Sequence, residues 1–344
     1  MRARSPKVTI KQVAREAGVS TQTVSRVLNE RPDVAAATRQ HILEIIDRMG
    51  YQPSALARSL IRQRSHTLGI VIAGLRYIGP SQTLNGITNQ AESLGYSLLL
   101  KKLPHFDTLN PEPILNDLLV HHVDGIIWAV PEIGDNCTWL ENRLPHLNVP
   151  IIFLTMHPEA NLPVVSVDNY LGGRMATEHL LAQGYRHIGH LAGPLTWWEA
   201  RQRQAGWQDA LKDAGLMVDT QQWIEGDWSA ESAIKPMEQL LVQYPQMDAV
   251  FVANDQMALA VLHVAHRQGR RVPDDLGVAG FDNIAEAAYF WPPLTTIRQN
   301  LHELGSTAVQ QVARMIEAEE GGEPETVWLK PELVVRESSL KRAG

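Results

Sequence analysis

Three stretches near the start of the chain carry apolar residues at helical spacing, which predicts helices over about 10–17, 21–28 and 36–49. Between the first two, Gly18 permits a backbone reversal, because it lacks the Cβ that penalises positive φ. Two short helices joined by a glycine turn indicate a helix-turn-helix. The residues predicted to enclose its core are Val13, Ala14, Ala17, Val24, Val27, Leu28, Ile42, Ile45, Ile46 and Met49.

The outward face of the second predicted helix is polar and suits a DNA major groove. Gln22 and Arg26 are four residues apart and share one side of the helix. Gln suits the adenine edge and Arg the guanine edge, and Thr21 lies at the helix start, which usually meets bases. The polar residues expected to complete this face or to bind phosphates are Ser20, Thr23, Ser25 and Asn29. A protein-binding three-helix bundle with an ordinary polar face is the alternative interpretation.

Beyond residue 66, short apolar runs alternate with helical stretches. Strands are predicted over 68–74, 96–100, 125–130, 151–155, 187–193, 249–255 and 276–282. Helices are predicted between them, including 82–94, 171–183, 200–214, 229–243 and 255–268. This alternation is typical of parallel sheets covered on both faces. Seven strands over about 270 residues are many for one core, so we expect two α/β lobes.

Polar residues lie at or after the carboxyl ends of several predicted strands, at the edge where parallel sheets bind ligands. Arg203, Asn254 and Asp282 provide a guanidinium, an amide and a carboxylate, which together can bind adjacent hydroxyls of a sugar. Aromatic residues that can contact a sugar ring from nearby loops are Tyr77, Trp197 and Trp228. The alternatives are core or loop packing for each tryptophan, and a structural interlobe ion pair for Arg203 with Asp282.

Charge separates the two parts of the chain. The 344 residues contain 31 Lys and Arg against 38 Asp and Glu, a net charge of −7. Residues 1–66 hold 12 basic and 5 acidic residues, so the acidic excess lies in the remainder. A basic head on an acidic body suggests that the head meets a polyanion. A solvated basic tail would give the same count.

Residues 51–66, YQPSALARSLIRQRSH, join the two parts. Pro53 suits the first turn of a helix, but the helix that can follow has only about eight residues and is marginal alone in water. Its arginines, Arg58, Arg62 and Arg64, would repel one another unless phosphates neutralised them. We therefore expect a hinge helix that orders on DNA, with a plain linker that packs Leu60 on the body as the alternative.

The stretches VTIKQVAREAGVSTQTVSRVLN and TRQHILEIIDRMGYQPSALARSL resemble the DNA-binding head of the lactose-repressor/galactose-repressor (LacI/GalR) family, and the similarity continues almost to the C-terminus. The resemblance implies an α/β protein with a three-helix helix-turn-helix head (1–52), a hinge helix and linker (53–66) and a two-lobed periplasmic-binding-protein-like α/β body (67–344). Crossovers near 167, 298 and 326 would divide the body into an N-lobe (about 67–166 and 298–325) and a C-lobe (about 167–297 and 326–340).

The resemblance also assigns DNA-contacting residues outside the helix-turn-helix. Leu60 matches the family's wedge leucine, which enters the minor groove at the operator centre; apolar wedges of this kind kink DNA. Ala57 would allow close contact with the groove or the partner helix. One departure is Ala35, where the family usually has a serine N-cap for the third helix, and loss of a cap costs about 1 kcal/mol. Asp33 or Thr38 are candidates to compensate.

In the body, the resemblance supports the residues proposed above for the crevice. Arg203, Asn254 and Asp282 match the hydroxyl-binding residues of sugar-responsive members, and Trp228 matches their stacking aromatic. The resemblance also places Asp168 at the crevice rim. A second departure is Thr155, where some sugar-binding members have a carboxylate.

Motifs of catalysis are missing from the sequence. It contains no G-x-x-x-x-G-K-[ST] loop, no G-x-S-x-G elbow and no H-E-x-x-H pair. The single cysteine, Cys137, excludes a disulfide scaffold and fits a reducing cytoplasm. No run of 18 apolar residues and no signal-peptide core occur, so neither a membrane span nor export is expected. We expect no metal and no cofactor.

These patterns predict a cytoplasmic transcriptional regulator, a repressor of sugar-utilisation genes. It would bind a palindromic double-stranded DNA operator as a homodimer, under control of a small sugar effector, a glycoside or disaccharide, in the interlobe cleft. A transport-type sugar-binding protein would need an export signal and no basic head. An α/β sugar-active enzyme with an appended DNA-binding head would need a phosphate-binding loop.

Overall fold

A computed structural model describes residues 8–28, 31–51, 64–158, 162–318 and 325–341. The chain divides into two units, which meet in sequence between Ser65 and His66. The first unit contains helices α1 (Ile10–Glu16), α2 (Thr21–Leu28) and α3 (Ala36–Met49). Their buried side chains are Val13, Ala14, Ala17, Val24, Val27, Ile42 and Ile45. Leu28, Ile46 and Met49, which were expected inside, pack against this core but remain half-buried.

Local chemistry fixes the helix ends of the first unit. Gly18, in the turn before α2, has φ of +64°, and Gly50, which ends α3, has φ of +61°. The Ser20 hydroxyl caps α2 by accepting from the Thr23 N–H at 3.0 Å. No side chain caps α3 at Ala35. Asp33 does not replace the missing cap, because its carboxylate pairs with Arg26 in α2 at 3.4 Å.

The second unit begins with a six-stranded parallel sheet of order β11-β5-β4-β3-β1-β2. Its strands are β1 (Thr67–Ile72), β2 (Ser97–Lys102), β3 (Gly125–Ala129), β4 (Ile151–Leu154), β5 (Val164–Val167) and β11 (Val327–Leu329). In register, Ile70 lies between Leu100 and Ile127. The helices that belong to this N-terminal lobe are α4 (Ile78–Ser93), α5 (Glu112–Val120), α6 (Leu140–Arg143) and α11 (Leu301–Glu317).

A second six-stranded sheet, of order β12-β10-β9-β8-β6-β7, forms the C-terminal lobe, and only β12 runs antiparallel to its neighbour. Its strands are β6 (Ile188–Ala192), β7 (Trp223–Glu225), β8 (Ala249–Val252), β9 (Gly277–Asp282), β10 (Thr295–Arg298) and β12 (Glu332–Val334). Its helices are α7 (Asn169–Ala182), α8 (Trp198–Asp213), α9 (Ala230–Gln243) and α10 (Asp255–Arg267). The two-lobed α/β architecture predicted from the alternating pattern is confirmed.

The chain crosses between the two sheets after β5, after β10 and after β11. The third crossover differs from the expectation near residue 326. Strand β11 pairs with β5, placing Val327 beside Val165, so it belongs to the N-terminal lobe and the chain crosses only after Leu329. None of the helices in the described ranges combines the length and the apolar character that a membrane span requires.

Candidate functional site

Helix α2 presents the side chains predicted to read DNA. Thr21, Gln22 and Arg26 are exposed on it, while Val24 and Val27 anchor its opposite face in the core. An exposed polar face on a helix held rigidly from behind is the arrangement that enters a major groove.

The other polar residues of this region have different environments. Ser20 and Thr23 are joined through their hydroxyls at 2.9 Å, and Ser25 is half-buried. Asn29, Ala57 and Leu60, and with them the hinge helix, lie outside the residues that the structure describes.

In the body, a cavity lies between the first turn of α4 in the N-terminal lobe and the strand ends of the C-terminal lobe. Its lining combines aromatic rings with a few convergent polar groups, which is typical of small-molecule sites. Six of the seven predicted effector residues line it: Tyr77, Trp197, Arg203, Trp228, Asn254 and Asp282. Sequence reasoning missed the other lining residues, which are Ile78, Gly79, Pro80, Glu199 and Gln256.

Arg203 is the buried cation of this cavity. Gly173 of α7 allows α8 to approach closely, since a Cβ there would lie 2.3 Å from the Arg203 carbonyl oxygen. The guanidinium donates to Asn169 Oδ1 at 2.8 Å and to the Ala253 carbonyl at 2.6 Å. It also stacks on Phe281, with Cζ 3.7 Å from the ring centroid. These contacts fix one orientation of the charge.

Asp282 ends β9 with φ of +116° and lies 3.8 Å from Arg203 Nη1. Its Oδ1 accepts from Gln299 Nε2 at 2.5 Å. Burial raises the pKa of Asp282 to about 6, although Arg203 and Gln299 favour the ionised form. Burial likewise raises the pKa of the neighbouring Asp255, to about 8, and the Asp282 charge adds to that effect.

Asn254 lines the cavity but its amide is already engaged. The Oδ1 atom accepts from the Met257 N–H at 2.8 Å and so caps α10, and Nδ2 donates to the Trp228 carbonyl at 2.9 Å. Trp228 itself has φ of +75°, a conformation in which an L-residue needs support. Asn254 therefore holds Trp228 in place as well as bordering the cavity.

Four aromatic rings from both lobes cluster together at one side of the cavity, and three of them, Tyr77, Trp197 and Trp228, line it. The Trp197 ring centroid lies 5.7 Å from that of Trp228, 6.2 Å from Tyr77 and 4.8 Å from Phe106. Phe106 was not predicted from the sequence, because it stands in a loop without any distinguishing pattern. These edge-to-face pairs form an apolar wall beside the Arg203–Asp282 pair.

Asp168 does not line this cavity, contrary to the expectation. Its carboxylate caps α7 by accepting from the Leu171 N–H at 2.8 Å. Its neighbour Asn169 is the residue that reaches Arg203. Neither Asp168 nor Asn169 lines either cavity, and the effector role of Asp168 stays a prediction.

A second cavity continues the cleft towards the N-terminal lobe. It shares Gly79, Pro80, Trp197, Glu199 and Arg203 with the first. The further residues that line it are Thr83, Ala129, Pro131, Leu154, Thr155, Gln299, Leu301 and Leu304. Thr155, noted as a departure from the family pattern, therefore borders the same cleft.

The lobes also touch directly beside these cavities. Glu132, after β3, forms an ion pair with Arg201 of α8 at 3.0 Å. Ile133 pairs with Trp197 as an antiparallel bridge, and the Trp198 N–H donates to the Glu132 carbonyl at 3.1 Å. A ligand that contacts Trp197 therefore contacts a residue of the interlobe junction.

His190, one of the two histidines in the HIGH sequence, is a core residue. Its ring stacks on Trp207 and Phe251, and Nδ1 lies 2.9 Å from the Phe251 carbonyl. Burial lowers the pKa of His190 to about 3, so the ring is neutral. The described part of the chain contains no cluster of three or more His, Cys, Asp or Glu side chains that could hold a metal ion.

Comparisons with known proteins agree with this geometry. Residues 9–54 match the bacterial regulatory proteins of the lacI family, and residues 177–339 match a periplasmic binding protein-like domain. The HTH-type transcriptional repressor PurR of Photobacterium profundum is 35% identical over 331 residues, 96% of this chain and 98% of the relative. PurR of Mannheimia succiniciproducens is 34% identical and covers 97% of this chain and 99% of its own.

Solved structures show the same fold over nearly the whole chain. The lac repressor dimer bound to operator and the anti-inducer ONPF is 32% identical, with a TM-score of 0.86 over 97% of this chain and 100% of that chain. The complex of the transcriptional regulator CelR with cellobiose is 31% identical, with a TM-score of 0.72 over 96% of this chain and 100% of that chain. The head, the two-lobed body and these relatives together show that the chain belongs to the lacI family of bacterial regulatory proteins.

Proposed function

We propose that this DNA-binding transcriptional repressor recognises a palindromic operator as a homodimer, and that a small sugar, a glycoside or disaccharide, in the interlobe cleft controls the binding. The observation that carries the proposal is the cleft itself, where the Arg203–Asp282 pair lies beside the ring of Trp228. The curated relatives are transcriptional repressors, which answers the enzyme alternative.

The dimer follows from the requirements of DNA recognition. One helix-turn-helix reads too few base pairs to find its site in a genome, and a twofold dimer doubles the contacts on an inverted repeat. The body offers apolar surface for a second copy, because Tyr289 and Trp291 are 87% and 92% exposed. The lac repressor of similar structure is a dimer on its operator.

The chemistry of the cleft supports a sugar as the effector. A guanidinium and a carboxylate fixed 3.8 Å apart can bind neighbouring hydroxyls, and an indole face packs against the C–H face of a pyranose. The two cavities share Trp197, Glu199 and Arg203, so a ligand that extends beyond one ring can continue from the first cavity into the second. The CelR structure was solved with cellobiose, a disaccharide.

Control of DNA binding requires that the sugar prefer one arrangement of the lobes, because a ligand shifts an equilibrium only by its differential affinity for the two states. The cleft residues come from both lobes, so their spacing changes when the angle between the lobes changes. Lobe angle then sets the spacing of the two chains' segments 53–66, and so their fit to the operator.

A thermal-shift screen of monosaccharides and disaccharides tests the ligand class, since a ligand that binds the folded state raises its melting temperature. Because Trp228 would also stack on a planar nucleobase, the screen includes purine bases. The proposal requires a sugar that stabilises the protein and changes its operator affinity. Stabilisation by a purine base and by no sugar would overturn it.

A further inference from the structure

Glu199 is a half-buried acidic residue of the cleft with one carboxylate oxygen that receives no hydrogen bond. It lies in the first turn of α8 and lines both cavities. Its Oε2 atom is inaccessible to water and has no hydrogen-bond partner among the described residues. A carboxylate oxygen that has lost water without gaining a donor is costly, so a ligand that brings a donor to this cavity-lining side chain gains binding energy.

The neighbouring cations are already paired with other carboxylates. Arg203, one helical turn after Glu199, makes its ion pair with Asp282 at 3.8 Å. Arg201 makes its ion pair with Glu132 at 3.0 Å. Of the described side chains that line the two cavities, Arg203 is the only cation, whereas Glu199 and Asp282 are both acidic. The cleft therefore has one carboxylate more than it has cations.

The raised pKa of Glu199 agrees with this excess of carboxylates over cations. Burial raises the pKa of Glu199 to about 7, and the charges of Glu132 and Asp282 raise it further, while Arg203 opposes them. The attraction from Arg203 thus does not offset the loss of water around the carboxylate.

We propose that Glu199 determines effector specificity by accepting a hydrogen bond from a protonated amine, so that the preferred effector is an amino sugar rather than a neutral sugar. This inference rests on the proposed function and refines its ligand class. An ammonium group supplies both the missing donor and the missing positive charge, and desolvated charge pairs discriminate strongly between ligands. A hydroxyl supplies the donor alone.

Calorimetric titration with matched probes tests the proposal. The neutral probes are glucose and cellobiose, and the amino probes are glucosamine and its β-1,4-linked disaccharide. The wild-type chain is expected to bind an amino probe at least about tenfold more tightly than its neutral counterpart, equivalent to about 1.4 kcal/mol. The isosteric Glu199→Gln variant should reduce that preference to less than about threefold. The exposed Glu231→Gln variant, which removes an equal charge from the first turn of α9, should retain it.

Dependence on pH provides a measurement that needs no variant. Below about pH 7 protons compete with the amine for Glu199, so affinity for the amino probe should fall with decreasing pH by up to about tenfold per unit. Affinity for the neutral probe should change little until the pH approaches 6, where Asp282 takes up a proton. The charged groups that set this behaviour are Glu199, Arg203, Glu132 and Asp282.

The outcomes separate this inference from the proposed function. Neutral sugars that bind as tightly as their amino counterparts would overturn the role of Glu199 and leave the sugar-responsive repressor intact. An unchanged amine preference in Glu199→Gln would also overturn it. Failure of every sugar, amino or neutral, to bind would overturn both.

Discussion

Glu132 of the N-terminal lobe and Arg201 of the C-terminal lobe form an ion pair, with Oε1 and Nη2 3.0 Å apart. The other carboxylate oxygen of Glu132 accepts from the His157 N–H at 2.7 Å, so the side chain is held from both sides. Trp197, which faces the ligand cavity, bridges to the residue next to Glu132. The pair therefore stabilises the lobe arrangement that shapes the cleft.

Glu132→Gln is expected to weaken the binding of an effector that fits this lobe arrangement. The pair is partly exposed, so its loss is worth less than about 1 kcal/mol, or up to about fivefold in affinity. Calorimetric titration measures the change. The Glu238→Gln variant serves as the control, because its surface pair with Arg267 lies within one lobe. Tighter effector binding by Glu132→Gln would contradict this account of the junction.

Arg26→Ala is expected to reduce discrimination for guanine by about 1–3 kcal/mol, because an arginine fork recognises the O6 and N7 atoms of that base. Fluorescence anisotropy on the operator and on operators with single base changes measures the discrimination. Arg15→Ala, at the end of α1, is a matched removal of an exposed arginine. An equal loss for Arg26→Ala on operator and on random DNA would show that Arg26 contacts phosphate only.

Asp282→Asn is expected to weaken effector binding by at least about tenfold, because it removes the carboxylate that faces Arg203 and would accept ligand hydroxyls. Titration of the identified effector measures the loss. Asp275→Asn removes a carboxylate from a surface pair with Arg271 and should leave effector affinity unchanged. Equal affinities for the wild type and Asp282→Asn would exclude Asp282 from the site.

Gly193→Ala is expected to displace the Trp228 ring. A Cβ at residue 193 would lie 2.2 Å from a ring carbon of that tryptophan. Overpacking of this kind costs about 1–3 kcal/mol of folding free energy, measurable by urea unfolding, and effector affinity should fall with it. The smaller ring of Trp228→Phe should restore part of the stability in the Gly193→Ala background. A fully stable single variant would contradict the observed packing.

Stability should depend on pH through Glu199. A folded-state pKa raised from 4.5 to about 7 favours the protonated native form, so this contribution is present below about pH 4.5 and is lost as the pH rises through 7. Thermal melts of wild type and Glu199→Gln should therefore diverge progressively over that interval, with the wild type losing stability relative to the variant. Parallel curves would show that Glu199 is hydrated in the folded protein.

Several helix boundaries in the head were predicted to the residue, because the sequence signals that set them lie close to the boundaries themselves. Helix α2 covers Thr21–Leu28 and α3 covers Ala36–Met49, as the apolar spacing predicts. The short strands β7, β11 and β12 each have three residues, too few for a periodic pattern. Their existence depends on partner strands distant in sequence, and so does the position of the third crossover.

The cleft was predicted less completely, because its composition depends on how the lobes meet. Residues that follow strands, such as Asp282, could be found from the sequence. Glu199 could have been found from its spacing four residues before Arg203, which puts both on one helix face. Its burial could not be predicted, since it comes from the contact between lobes.

The most direct test of the account is the affinity of the full chain for a palindromic operator and for arbitrary DNA of equal length, with and without the stabilising sugar. The account predicts that the chain binds the palindrome at least about 10³-fold more tightly than arbitrary DNA, and that the sugar changes only this specific affinity substantially. Equal affinity for both DNAs, unaffected by any sugar, would contradict it.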